Sequence, residues 1–351
     1  MSLASLQITA LRSIATAALE FAPGLNLIFG ANGSGKTSIL ESAFLLGRGR
    51  SFRTRHTEQL IARGADHLQL FGATVDPAHR IGFEYRRDES YVARLDGTDV
   101  RSLAELPGAF FAEVIDPEVH RLVEGAPGER RRWLDWGVFH VEPGFLEAWL
   151  RFSRTLKQRN AALRQGMDPQ PWDIELVQHG ERVATLRAAW LESVQPFWRV
   201  AVERLSGLQV EMGYYRGWAA DRSLTDVLTD GLERDRARGS TGLGPQRADV
   251  QLKLQGRAAK EVLSRGQQKL VAAAMVLALL QRLRSQQTQP PTLLLDDPAA
   301  ELDAHRLASL VDLVRELRCQ LVVTSLHADL TIFGMPERAF HVERGVVTAM
   351  R

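Results

Sequence analysis

Cysteine is almost missing from this 351-residue chain. Cys319 stands alone, so no intrachain disulfide can form, and a reducing compartment is expected. Lysine is scarce too: of 44 basic residues only Lys36, Lys157, Lys253, Lys260 and Lys269 are Lys. Long apolar runs are also lacking. The longest, Leu270 to Leu280, falls far short of the ~20 residues a membrane span needs and reads as a buried core helix. The N-terminal stretch has no signal-peptide pattern, because Arg12 and Glu20 interrupt its apolar residues. No internal repeat, low-complexity tract or sustained heptad pattern occurs. Disulfide-framed, membrane-spanning, solenoid and coiled-coil classes are thereby set aside, and a cytoplasmic protein with no membrane partner is expected. With 45% apolar and 25% charged residues, the chain reads as a soluble globular protein. Its length predicts one large domain plus a subsidiary lobe. A net charge of +2 permits a nucleic-acid partner without demanding one, so a local basic face would have to bind it.

Against this background one segment stands out. Gly30-Ala31-Asn32-Gly33-Ser34-Gly35-Lys36-Thr37 spells G-x-x-x-x-G-K-T, a phosphate-cradling loop. Leu25 to Phe29 before it reads as a buried strand. Thr37 to Leu46 after it carries apolar residues at helical spacing, with Gly47 as the expected stop. Three glycines let backbone approach a polyphosphate, and the loop N–H groups and helix N-terminus face its charge. Lys36 is expected to reach the β- and γ-phosphates and Thr37 to bind Mg²⁺. A lysine in so Arg-rich a chain suits a loop where a compact ammonium fits and a planar guanidinium does not.

Along the chain, residues 1 to about 115 look β-rich. Gly128 to Gly207 has a helical pattern, with stretches Phe145 to Arg164 and Ile174 to Leu205. From 248 onward strands and helices alternate, which implies a mostly parallel sheet. The expected organisation is an α/β head with an inserted mainly helical lobe: residues 1–120 carry the phosphate loop, 121–245 form the lobe, and 246–351 complete the head.

The second head segment supplies three more motifs. Thr292 to Leu295 is an apolar strand ending in Asp296 and Asp297, a Walker B pattern. Asp296 would meet Mg²⁺ beside Thr37, and Asp297 would orient the attacking water. Leu263-Ser264-Arg265-Gly266-Gln267 resembles the signature of ABC-class ATPases, with Ser264 at a helix N-cap position. Glu301-Leu302-Asp303 matches the D-loop of that class. Ser264, Gly266, Gln267 and Asp303 therefore join Lys36, Asp296 and Asp297 as candidate catalytic residues.

The resemblance is closer than class level. Leu11-Arg12-Ser13, Gly30 to Glu41, Arg130 to Asp135, Lys157 to Ala161, Gly244 to Arg247, Ser264 to Gln267 and Asp296 to Asp303 together resemble the RecF family of bacterial recombinational-repair proteins, across nearly the whole chain. That resemblance implies an ABC-ATPase-like P-loop head, ATP and Mg²⁺ as cofactors, and slow, DNA-stimulated hydrolysis. It further implies an ATP-dependent homodimer on double- and single-stranded DNA at gap junctions, with RecO and RecR as partners in recombinase loading. Arg12 and Ser38 join the loop residues as expected nucleotide contacts. Three departures stand out. Glu113 lies where a sensor glutamine is expected, Asp297 replaces the glutamate common in ABC ATPases, and Ser325 or His327 would serve as the switch residue.

Candidate DNA contacts are Arg130, Arg131 and Arg132 at the start of the lobe, and Arg151, Arg154, Lys157 and Arg159, which form a basic stripe on one predicted helix. Trp149, Phe152 and Trp172 beside the stripe read as core. Two other readings compete: an ATP-binding DNA clamp with negligible turnover, and an ABC-type subunit of another machine such as a transporter.

Overall fold

The structure, a computed structural model, describes residues 2–88, 90–286, 291–328 and 331–350. By its contacts the chain divides into two units, Met1–Val119 with Gln287–Arg351, and His120–Gln286. The first unit opens with β1 (Ser2–Leu11), β2 (Ile14–Glu20), β3 (Leu25–Phe29), α1 (Lys36–Arg48), β4 (His67–Val75), β5 (Arg80–Arg86), β6 (Tyr91–Leu95), β7 (Thr98–Asp99), α2 (Leu106–Ala109) and β8 (Ala112–Ile115). The second contains α3 (Arg121–Glu124), α4 (Pro127–Val141), α5 (Phe145–Arg164), α6 (Asp173–Ser206), β9 (Glu211–Tyr215), α7 (Leu224–Arg238), β10 (Asp249–Leu254), β11 (Arg257–Ala258), α8 (Ala259–Val262) and α9 (Arg265–Arg284). The first unit resumes with β12 (Thr292–Leu295), α10 (Pro298–Glu301), α11 (Ala304–Leu317), β13 (Gln320–Ser325), β14 (Arg338–Glu343) and β15 (Val346–Met350).

Two sheets build the first unit. One is antiparallel, in the order β2-β1-β4-β5-β6-β7. Its strands alternate buried and exposed residues, as β4 shows, because one face packs inward and the other meets water. The other sheet runs β15-β14-β3-β13-β12-β8, with parallel pairing everywhere except β14–β15. Its central strands β12 and β13 are buried at every residue, in keeping with the apolar stretches Leu293 to Leu295 and Leu321 to Val323 within them. The core between the sheets gathers Leu6, Leu70 and Phe83 from the first, Leu294, Val322 and Phe340 from the second, and Ile39, Leu40 and Phe44 from α1.

Helix α1 does not stop at Gly47, as expected, but runs to Arg48, and Gly49 ends it with φ 63°. Gly47 serves packing: a Cβ there would lie 2.7 Å from the Phe110 carbonyl oxygen.

In the second unit α6 packs against α5 and α9, and the three-stranded sheet β11-β10-β9 lies alongside. The expected boundary at 245/246 differs from this division. Residues 246–286 group with the helical lobe because α9, buried almost all round, packs along α6.

Candidate functional site

The phosphate loop leaves β3 at Gly30 and enters α1 at Lys36. Gly30, Gly33 and Gly35 have φ of 151°, 75° and 118°, so glycine is demanded by conformation. At Gly30 a Cβ would also sit 2.2 Å from the Val342 carbonyl oxygen. The loop is fixed from outside by the Gly30 N–H donating to the Ser325 oxygen (3.2 Å) and the Gly345 N–H donating to the Ser34 oxygen (2.8 Å). The Ser38 N–H is used inside α1, donating to the Gly35 oxygen (3.0 Å).

Lys36 is buried, and its Nζ donates to the carbonyl oxygens of Gly30 (2.7 Å) and Ala31 (3.0 Å). Desolvation lowers its pKa from the ordinary lysine value, and the charges of Asp297 and Asp296 oppose that shift. Lys36 is thus an ammonium wrapped by its own loop in the field of two acids.

Those acids arrive on the sheet. Parallel register aligns Leu295 of β12 with Val323 of β13, so Asp296 and Thr324 follow side by side. Thr324 Oγ1 donates to Asp296 Oδ1 (2.7 Å) and accepts the backbone N–H of Asp297 (2.8 Å). From the other side Thr37 Oγ1 lies 3.0 Å from each Asp296 carboxylate oxygen, joining residues 259 apart in sequence. Thr37 and Asp296 place hard oxygens together at the mouth of a phosphate loop. That donor set fits Mg²⁺, which takes one or two protein oxygens and fills its octahedron with phosphates and water. Asp297 has φ 47° and ψ 53°, a left-handed backbone at which α10 begins. A non-glycine residue held there costs of order 1–3 kcal/mol, and such strain gathers at functional sites.

Strand β8 adds a residue that the sequence reading missed. The Asp296 N–H donates to the Ile115 oxygen (3.0 Å), so the β8–β12 ladder continues one step past its strands and brings Asp116 alongside Asp296. Glu113, the expected sensor, is in register with Leu293, further back along the strand, where it forms a buried ion pair with Arg48 at the far end of α1. Arg12 forms a two-point ion pair with the fully buried Glu41, which also accepts from Ser51 Oγ. Beyond β13 the strand alternation ends. Ser325 is buried and its Oγ accepts the His327 N–H (3.2 Å), whereas His327 is exposed.

In the second unit the signature segment opens α9. Ser264 accepts from the Gln267 N–H (3.3 Å), and Gln267 Oε1 accepts the Ser264 N–H (2.9 Å), a reciprocal capping box. Ser264, Arg265 and Gly266 are exposed, so this helix N-terminus is presented to solvent. Asp303, also exposed, caps α11 by accepting from the Arg306 N–H (2.9 Å).

The candidate DNA contacts separate. Arg130 and Arg159 are internal struts, a correction to their expected places among the DNA contacts. Arg130 forks onto Asp249 (2.8 and 3.0 Å) and reaches three carbonyls around Val123. Arg159, fully buried, joins Asp173 (2.7 Å), Asp235 (2.8 Å) and Thr241 (2.8 Å). Both guanidinium groups are buried and turned to acids inside the protein, which withholds them from a phosphate in solution. Arg151, Arg154 and Lys157 are exposed on α5, with Arg151 3.1 Å from Glu147, and Arg132 pairs with Glu129. Phe152 is core as expected, but Trp149 is 38% exposed and Trp172 only half-buried.

A glycine-rich loop clasping a lysine, an acidic strand end on a parallel sheet and a capped signature helix together define an ABC-ATPase-like head. The profile of the RecF/RecN/SMC N terminal domain matches residues 2–345. The DNA replication and repair protein RecF of Stutzerimonas stutzeri (strain A1501) is 39% identical over 362 residues, covering 100% of this chain and 98% of the relative. The solved recombination mediator protein RecF-ATP of the RecFOR pathway superposes with a TM-score of 0.89 at 25% identity, over 99% of this chain and 97% of that one. An Smc head bound to the C-winged helix domain of ScpA shares the fold, with a TM-score of 0.60 at 16% identity over 100% of this chain and 98% of that one. The chain belongs to the RecF family of DNA replication and repair proteins.

Proposed function

We propose that the protein binds ATP with Mg²⁺ and hydrolyses it slowly, in a homodimer that closes around two nucleotides on DNA at gap junctions. In that state it supports recombinase loading with RecO and RecR. The observation that carries the nucleotide chemistry is Thr37 Oγ1 at 3.0 Å from both Asp296 oxygens, beside Lys36. Relatives named for ATP complexes and for DNA replication and repair support the same reading.

In this reading Lys36 exchanges its two carbonyl partners for β- and γ-phosphate oxygens, and the loop N–H groups from Ala31 to Thr37 bind the remaining charge. Thr37 and Asp296 hold Mg²⁺, with Thr324 fixing the carboxylate. Mg²⁺, when bound, neutralises charge developing on the phosphate oxygens. Asp297, its backbone pinned by Thr324, orients a water toward the γ-phosphorus. Its side chain is one carbon shorter than glutamate, which favours low turnover. The exposed Ser264 and Gly266 complete the γ-phosphate shell of the opposite protomer, where a helix N-terminus attracts anions.

The deciding experiment measures fluorescent-ATP affinity for wild type and Lys36→Ala, then ATP turnover with and without double-stranded DNA. Loss of tight binding in Lys36→Ala and DNA-raised turnover in wild type are expected. Unchanged affinity in Lys36→Ala would sink the nucleotide assignment.

A further inference from the structure

Two segments that marked the family resemblance, Arg130 to Asp135 and Gly244 to Arg247, meet in the second unit and are not used by the nucleotide site. Arg131 Nη1 donates to the Ala248 oxygen (2.7 Å), so its guanidinium rests on the turn that carries Arg247. Arg187, 3% exposed, donates to the Pro245 oxygen (2.8 Å) on the same turn. Four arginines therefore gather around two acids. Each acid is already consumed: Asp249 by the two-point pair with Arg130, and Asp135 by a two-point pair with Arg187 (2.6 and 2.9 Å). Neither Arg131 nor Arg247 makes an ion pair among the described residues. Arg131 spends one of its five N–H donors on a carbonyl, and Arg247 is exposed. The Tyr214 hydroxyl is buried beside Arg187, and burial raises its pKa.

Two cations with unspent donors next to a buried ion pair form a positive concentration that the protein does not neutralise. We propose that Arg131 and Arg247 form a backbone-phosphate contact for DNA, with Arg130 and Arg187 as the buried struts that hold them in place. Desolvation and the charges of Arg187 and Arg247 lower the Arg131 pKa against the opposing charges of Asp249 and Asp135, and an anion would relieve the repulsion. The planar fork of Arg131 suits two phosphate oxygens, and Arg247 adds a solvent-facing cation that steers the strand in. This placement keeps Arg131 on the list of DNA contacts, removes Arg130 from it, and adds Arg247, which sequence spacing had not suggested.

The inference rests on the DNA-binding reading, and one titration separates the two. Double-stranded DNA affinity is measured against salt for wild type, Arg131→Ala with Arg247→Ala, and Arg247→Glu alone. Each phosphate contact contributes about 0.9 to the slope of log K against log salt, so losing one weakens binding about fivefold near 0.15 M salt. The double variant is expected to lose about one to two units of slope and roughly five- to thirtyfold in affinity. Arg247→Glu is expected to lose at least one, and nucleotide affinity should stay at the wild-type value in both. Arg247 is exposed, so its variant folds even if the double variant does not. Wild-type slopes in Arg247→Glu and in a folded double variant would overturn the proposal and leave the DNA-binding reading standing. Wild-type protein that fails to bind double-stranded DNA would sink that reading and the proposal with it.

Discussion

Arg159 separates a structural arginine from a DNA contact most sharply, because the expectation from sequence and the structure assign it opposite roles. Its guanidinium is fully buried and bound to Asp173, to Asp235, which is 4% exposed, and to Thr241. Arg159→Met keeps the aliphatic stem and removes the fork, leaving Asp235 a buried charge without its cation. Breaking a buried pair from one side costs about 3–5 kcal/mol. In a domain of this size, roughly 2–4 °C of melting temperature goes with each kcal/mol, so the unfolding transition should fall by roughly 6–20 °C. Calorimetry measures that shift, and DNA affinity is read well below the lowered transition. There the salt slope should match wild type, because no phosphate contact has been lost. An unchanged melting temperature together with weaker, flatter DNA binding would refute the strut assignment and restore Arg159 to the DNA-facing stripe.

Asp297→Asn should still bind ATP but hydrolyse it poorly and accumulate as an ATP-bound dimer on DNA; wild-type turnover in a steady-state assay would remove Asp297 from catalysis. Ser264→Arg should keep nucleotide affinity within a few-fold, losing only about 1 kcal/mol of helix cap, yet abolish ATP-dependent dimers in sedimentation. Mixing it with Lys36→Met should restore partial hydrolysis, since one composite site then stays intact; normal dimers in Ser264→Arg alone would confine Ser264 to capping. Asp116→Asn should raise the Mg²⁺ concentration for half-maximal hydrolysis by about tenfold, whereas Glu113→Gln should leave it near wild type. The reverse order would return the sensor role to Glu113.

What the sequence determined by itself is local. Gly30 to Thr37 has one low-strain way to run, because three glycines at positive φ must sit between a buried strand and a helix. The apolar runs of β12 and β13 have to be buried on both faces, and the Ser264 and Gln267 spacing writes its own helix cap. Such features depend on residues a few positions apart, so neighbouring side chains suffice to read them. Tertiary structure decided everything that depends on register or on burial of a charge. Asp116 rather than Glu113 stands beside Asp296 because a parallel ladder aligns chain segments far apart in sequence, and strand patterning alone does not say which residues face each other. Arg130 and Arg131 are adjacent, and Arg159 lies on the same helix as Lys157 and Arg154, yet two of these cations turn inward to acids at 173, 235 and 249. An arginine's stem reaches core or solvent from the same backbone position, so its role is set by where its carboxylate partner lies, and only the folded chain brings the two together.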